Sequence, residues 1–171
     1  MLELLQCRGL EQITVRDVAA EAGVGYTTFF RHYAGKEALL DDIAAEEIGR
    51  MFELTLPVYD TRASRAACLT LCNYVDEHRG LWAALLTGGA AGAVREELLR
   101  RGREASAVRA QDGWLPEGLA TILAVSVTIE LLTWWLRQAE PLPAADVAEI
   151  LDRIAISPAE RRPGQRSATS A

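Results

Sequence analysis

Tyr26, Thr27, Thr28, Arg31 and His32 stand close together in the run YTTFFRH. Hydroxyls, a guanidinium and an imidazole at that spacing offer donors and acceptors to a polar, anionic partner. They do not make a nucleophile with its base. His32 and His78 are the two histidines of the chain, and neither stands in a legible Ser-His-Asp or Cys-His arrangement. Cys7, Cys68 and Cys72 are odd in number, with no Cys-x-x-Cys and no histidine at metal-ligand spacing. Cys68 and Cys72, four apart, read as buried thiols, with a redox pair or thiol sensor as the alternative. No glycine-rich phosphate loop follows a strand. The expected chemistry is therefore binding, with no catalysis, no metal and no cofactor.

The YTTFFRH run needs rigid support, and the residues before it supply one. Thr14 is a good N-cap, and Asp17 three residues on completes a capping-box pattern. Val15, Val18 and Ala19 then recur at helical spacing. Gly23 ends that helix where φ > 0 is needed. A second helix is expected from about Gly25 to Tyr33, with Phe29 and Phe30 inward or partly inward. Small Ala19, turning Gly23 and anchoring Phe29 have the spacing of a helix-turn-helix. In such a unit the second helix enters the major groove and its N-terminal residues meet base edges.

The whole stretch TVRDVAAEAGVGYTTFFRHYAGKEALL resembles the DNA-binding signature of the TetR/AcrR family of regulators. The resemblance covers roughly residues 4 to 45. It rests on AxxAGV, Thr-Phe-Phe-Arg-His-Tyr and Gly-Lys-Glu. It implies that Thr28, Tyr33 and Lys36 touch the DNA backbone and that Tyr26 and Thr27 meet bases. Phe30 stands where a tyrosine is commoner, so one phosphate-contacting hydroxyl is missing. Thr14, Arg16, Arg31 and His32 complete the candidate DNA-binding set. The implied partner is a pseudo-palindromic double-stranded operator.

Charge works against a broad electrostatic grip. The chain has 171 residues and a net charge of −6. Its first 45 residues carry Arg8, Arg16, Arg31 and Lys36 against Glu3, Glu11, Asp17, Glu21, Glu37, Asp41 and Asp42. Binding must then come from a few placed cations, hydroxyls and helix N-termini.

Half of the residues are hydrophobic, and alanine, leucine, glutamate and arginine dominate. An all-α fold follows. We expect a helix-turn-helix domain over 1–45, with residues 1–8 as the last turns of a first helix. A helical ligand-binding and dimerisation domain covers 46–156, and a tail disordered by composition covers 157–171. A long helix should run from Gly35 to Leu54 and end by Pro57, with Leu39, Leu40, Ile43, Ile48 and Phe52 buried; the resemblance implies that it is the connector between the two domains. Helices follow from about Arg62 to His78 (face Leu69, Cys72, Val75) and, after a break at Gly80, over LWAALLT. Further helices cover Ala93 to Val108, with pairs Glu96–Arg100 and Glu97–Arg101, then Glu117 to Gln138 and Ala144 to Ile156. With no signal peptide read at the start, the cytoplasm is the expected location. Leu119 to Leu136 is nearly all apolar, but Glu130 interrupts it, so a buried helix is expected and no membrane span.

A helix apolar nearly all round must be buried nearly all round. A homodimer with a four-helix interface would do this, through Leu132, Trp135, Leu136, Val147, Ile150, Leu151 and Ile154; a monomer with a fully central helix is the alternative. A cavity for an unknown hydrophobic small-molecule effector is expected among Cys72, Tyr74, Trp82, Leu85 and Leu86. Trp114, Ile122, Ser126, Ile129 and Glu130 would close it; Glu130 is the one acid a buried position could hold, as a group for a ligand cation or as the structural partner of an arginine across the dimer. Together these features point to a ligand-responsive regulator, most readily a repressor. The rival readings are a helical dimeric interaction module with weakened DNA binding, and an enzyme in the C-terminal cavity.

Overall fold

The computed structural model of the chain describes residues 1–60, 64–88, 90–107, 115–116 and 118–156. Trp114 and the tail from Ser157 lie outside them. Among the described residues there is no strand, and the fold is all-α with an N-terminal helix-turn-helix. Helices α1 (Leu2–Cys7), α2 (Val15–Glu21) and α3 (Tyr26–His32) come first, with a 3-10 turn at Leu10–Gln12. They are followed by α4 (Lys36–Asp60), α5 (Ser64–Glu77), α6 (Arg79–Thr87), α7 (Ala91–Ala107), α8 (Leu119–Leu136) and α9 (Ala144–Leu151). A π-helical turn, Asp152–Ile156, extends α9.

Helix α4 is the spine. It packs on α5 and α7, while α5 packs in turn on α9, and α7 on α8. Leu40 and Ile48 of α4 are fully buried, and Leu39, Ile43 and Phe52 pack partly buried against the core. The helix does not stop before Pro57 but runs through it to Asp60. The proline forfeits one backbone bond in the last turn, a loss that sustained packing upstream can offset.

The remaining departures have similar local causes. Gly80 lies inside α6, because the break falls at His78, whose backbone leaves helical geometry; its Nδ1 lies 2.9 Å from the Tyr74 carbonyl. On α5 the buried stripe is Ala67, Cys68, Cys72 and Val75, and Leu69 faces out. Burial beside the Asp76 charge raises the Cys72 thiol pKa to about 12, which keeps it an unreactive thiol. The wider π turn after α9 rotates the following residues, so Ala155 points inward and Ile154 is 53% exposed. Gly118, at φ +76, caps the start of α8. Gly102 lets α7 and α8 meet: a Cβ there would stand 3.0 Å from the Thr121 methyl.

The core is one cluster running from Leu5, Ile13, Val18 and Phe29 of the N-terminal unit to Val147 and Leu151 of α9. Helix α1 packs on α6, so the N-terminal unit is seated on the body and does not hang from α4 alone. Trp135 anchors the other end. It is wholly buried, its indole N–H donates to the Leu142 carbonyl at 2.8 Å, and the Arg79 guanidinium lies 4.9 Å over its ring.

On α7, Glu97 accepts from both Arg100 (2.6 Å) and Arg101 (2.7 Å). Arg100 turns to Glu97 and Glu104, not to Glu96. The hydrogen bonds from Arg100 and then Arg101 hold the Glu97 carboxyl at about 2. A depressed carboxyl contributes stability that is complete above about pH 5 and lost as pH falls towards the folded value. Glu97→Gln should therefore destabilise the chain above about pH 5 and converge with the wild type near pH 2. Urea denaturation across that range measures the gap; a constant gap would show that the pairs contribute nothing.

Candidate nucleic-acid interface

The reading unit is built from its cap upward. The Thr14 hydroxyl accepts from the Asp17 N–H at 3.2 Å, and the Asp17 carboxylate accepts from the Thr14 N–H at 2.8 Å. The Thr14 hydroxyl also donates to that carboxylate at 2.7 Å. These bonds, chiefly from Thr14, lower the Asp17 pKa, with Arg8 at 3.6 Å assisting. Buried Val18 and Ala19 turn inward. Gly23 takes φ +64, and the Val24 N–H closes the turn on the Ala19 carbonyl at 2.9 Å. Gly25 caps α3 in extended geometry, and Phe29 is the residue α3 buries.

That leaves a face. Tyr26, Thr27, Phe30, Arg31 and His32 are exposed, and Thr28 and Tyr33 half-buried. Phe30 is not inward or partly inward: it is 43% exposed, because Phe29 alone fills the space against α2. Arg16, exposed on α2, places its guanidinium 5.8 Å over the Tyr26 ring. Thr27, Thr28, Phe30 and Arg31 line a shallow hollow of about 390 Å³. The arrangement presents hydroxyls, two guanidiniums, an imidazole and two aromatic rings around one short helix, with no general base positioned beside a nucleophile.

Lys36 is engaged within the chain. Its ammonium donates to the carbonyls of Leu10 at 3.0 Å and Ile13 at 3.2 Å. These bonds tie the start of α4 to the 3-10 turn and leave a third N–H for another acceptor. Nothing in the local sequence marks this role, since the partners lie 23 and 26 residues away.

The residues expected to surround a ligand do not converge on one open cavity. Cys72, Trp82 and Leu85 are fully buried, with Leu86 and Ile129 nearly so. Ile122 and Glu130 face outward on α8, and Ser126 accepts from the Arg95 guanidinium at 2.8 Å. The buried acid is not Glu130 but Glu47, at 2% exposure. Its carboxylate accepts from Arg50 at 3.0 Å and from the Tyr74 hydroxyl. Desolvation, with the bond to Glu47, pushes the Tyr74 pKa well up, so the phenol stays a donor. Trp82 stands 6.4 Å from Tyr74, ring to ring, and its buried indole N–H has no partner among the described residues. Elsewhere, a cleft of about 500 Å³ opens between the Leu5–Glu11 segment and α6.

The residues expected at a dimer interface are mostly core of this chain. Leu132, Trp135, Leu136, Val147 and Leu151 are buried by its own helices, because α8 turns that side onto α6 and α9. Ile150 is half-buried, and Ile154 is exposed. The open apolar face of α8 is the opposite one: Leu119, Ile122, Leu123 and Trp134, with Glu130 among them. By length and composition α8 could cross a membrane, yet its inner side is packed against the body.

Known proteins share both the local motif and the global shape. The family model described as bacterial regulatory proteins, tetR family, matches residues 2–43. Tetracycline repressor protein class D of Escherichia coli is 38% identical over 56 residues, 33% of this chain and 26% of that protein. The class H repressor of Photobacterium damsela subsp. piscicida matches to the same extent. The chain thus aligns with about a quarter of the length of these curated relatives. The crystal structure of a TetR transcriptional regulator from Streptococcus agalactiae 2603V superposes with a TM-score of 0.60 at 25% identity, over 90% of this chain and 88% of that one. A capped helix-turn-helix matched in sequence over residues 2–43, joined to a helical body matched in shape, makes this chain similar to TetR-family regulators at both levels.

Proposed function

We propose that the chain is a dimeric, ligand-responsive DNA-binding regulator of transcription, acting as a repressor. The observation that carries this reading is the outer face of α3, where Tyr26, Thr27, Arg31 and His32 stand clear of the core on a helix fixed by the cap at Thr14 and by buried Phe29. A helix so held can enter the major groove with its first residues at the base edges. Arg16 and the remaining N–H of Lys36 are the backbone contacts, and Thr28 and Tyr33 flank them. The two relatives named tetracycline repressor support repression as the sign of control.

Dimerisation is assigned to the outer face of α8. Its exposed leucines, isoleucine and Trp134 repeat at helical spacing, and Ile154 lies exposed beyond α9. A second copy covering this face would hide apolar surface that one chain cannot. The effector site is assigned to the region of Tyr74 and Trp82, where an unpartnered indole N–H and the Glu47–Tyr74 bond adjoin aromatic walls. A ligand that takes the Tyr74 hydroxyl would loosen α4 from α5 and so move the reading heads, a coupling of about 1–3 kcal/mol in typical systems.

The test of the whole reading is binding to duplex DNA from upstream of the chain's own gene, measured against salt. A chain with no sequence preference at any salt would be an interaction module instead. Lys36→Ala should lower the melting temperature, by loss of two charge-assisted bonds, and reduce the salt slope by about one unit. A lowered melting temperature with an unchanged slope would leave Lys36 purely structural.

The assembly test contrasts neighbours. Trp134→Glu should give a folded monomer with weakened operator binding, whereas Trp135→Glu should unfold the chain by burying an unpaired carboxylate. Analytical ultracentrifugation and circular dichroism separate the two; a Trp134→Glu dimer would remove this interface. For the effector, a panel of flat apolar compounds is screened by tryptophan fluorescence together with DNA release. The expected hit does both, and loses its effect on Tyr74→Phe. A compound that releases DNA equally well from Tyr74→Phe would move the site elsewhere.

A further inference from the structure

We propose that Tyr26 and Phe30 form an apolar reading edge that recognises the methyl groups of thymine in the major groove. This rests on the DNA-binding reading above and adds what the helix selects. Tyr26 is 50% exposed and Phe30 43%. One turn apart, their rings pack edge to face at 4.9 Å. Phe30 is backed by buried Phe29 at 5.4 Å, and Tyr26 by the Arg16 guanidinium at 5.8 Å. The pair is thus supported from behind and open in front, beside Thr27 and Arg31.

Phe30 leaves 43% of its surface open on a polar face, and it has no polar atom for a phosphate or a base edge. What the major groove offers such a ring is the C5 methyl of thymine. Hydrogen-bonding readout falls to the neighbours Thr27 and Arg31, an arginine fork being suited to guanine. The offset from Tyr26 to Phe30 is about 6 Å along the helix. That is close to two base-pair steps of roughly 3.4 Å, so the edge spans methyls two base pairs apart. Pre-packed rings lose little freedom on contact, which favours them as reading groups over longer side chains.

The test removes only the methyl. The full chain selects from a pool of random duplexes, and the enriched duplexes are remade with deoxyuridine in place of each thymidine in turn. Base pairing and groove hydrogen bonds are unchanged. One or two positions in each half-site should lose affinity by about four-fold per methyl. Phe30→Ser should bind the thymidine and deoxyuridine forms at the sensitive position alike, and Phe30→Leu should keep part of the difference. Circular dichroism should show both variants folded; an unfolded Phe30→Ser chain would make Phe30 a core residue and overturn the inference. Enriched duplexes that wild type binds equally with deoxyuridine overturn the thymine edge and leave DNA reading intact. A pool with no enrichment overturns DNA reading, and this edge with it.

Discussion

A carboxylate cannot be buried alone, and the placement of Glu47 governs how the rest of the chain fits together. Leaving such a charge without partners costs several kcal/mol. Arg50, one turn on, supplies the countercharge, and Tyr74 supplies a hydroxyl from the next helix. The bond to Tyr74 therefore favours one rotation and height of α4 on α5. A hydrophobic seam between Leu40, Ile48, Cys72 and Val75 would tolerate small slides, because greasy contacts are non-directional. The polar lock would not. It also sets a cost on moving α4, which is the property a connector between a reading head and a sensing body requires.

The second constraint is the seating of the N-terminal unit at two points. Lys36 bonds the 3-10 turn from the α4 side, and α1 rests on α6 from the other. Leu10 approaches Gly88 closely, and a Cβ at Gly88 would already stand 2.5 Å from the Ala84 carbonyl oxygen. This contact joins α6 directly to the N-terminal unit, beside the connection along α4. In the proposed mechanism, a ligand beside Trp82 lies on α6 itself and Tyr74 on α5, so one binding event touches both routes.

What the sequence made legible divides by range. The helix-turn-helix could be read because its determinants are local: Thr14 and Asp17 three apart, Gly23 at the turn, Phe29 one turn into the next helix. The orientation of the long helices could not. Helix α8 is apolar on both sides, so periodicity does not say which side meets the chain's own core, and Trp134 and Trp135 exchange roles on that choice. For the same reason Glu130 looked like the buried acid. Glu47 carries no signal, sitting beside Glu46 in a charged helix, with a key partner 27 residues away. The local pattern turns Phe30 inward or partly inward beside Phe29, although two adjacent aromatic residues on one helix cannot both face α2. A regular α repeat puts Ile154 on the same stripe as Val147 and Leu151; the π turn breaks that repeat, so those two are buried while Ile154 stays exposed.

An acidic chain that binds DNA must do so under an unusual balance of forces. Non-specific affinity comes from cations neutralising phosphates, and it scales with their number. Here two of the Lys36 N–H groups are engaged by carbonyls, and Arg8 faces Asp17. Few cations remain to grip the backbone indiscriminately. The surrounding carboxylates, Glu21, Glu37, Asp41 and Asp42 among them, repel the polyanion wherever the fit is poor. Affinity must then be concentrated in contacts made only at a matching site: hydroxyls, one guanidinium fork and the aromatic edge of α3. Weak general attraction lowers both bound states, but it lowers the non-specific one to nearly nothing, since that state has little else to hold it. Under the proposed function, the net charge of −6 thus does not oppose sequence reading; it would shift the work from phosphate neutralisation to the face of one seven-residue helix.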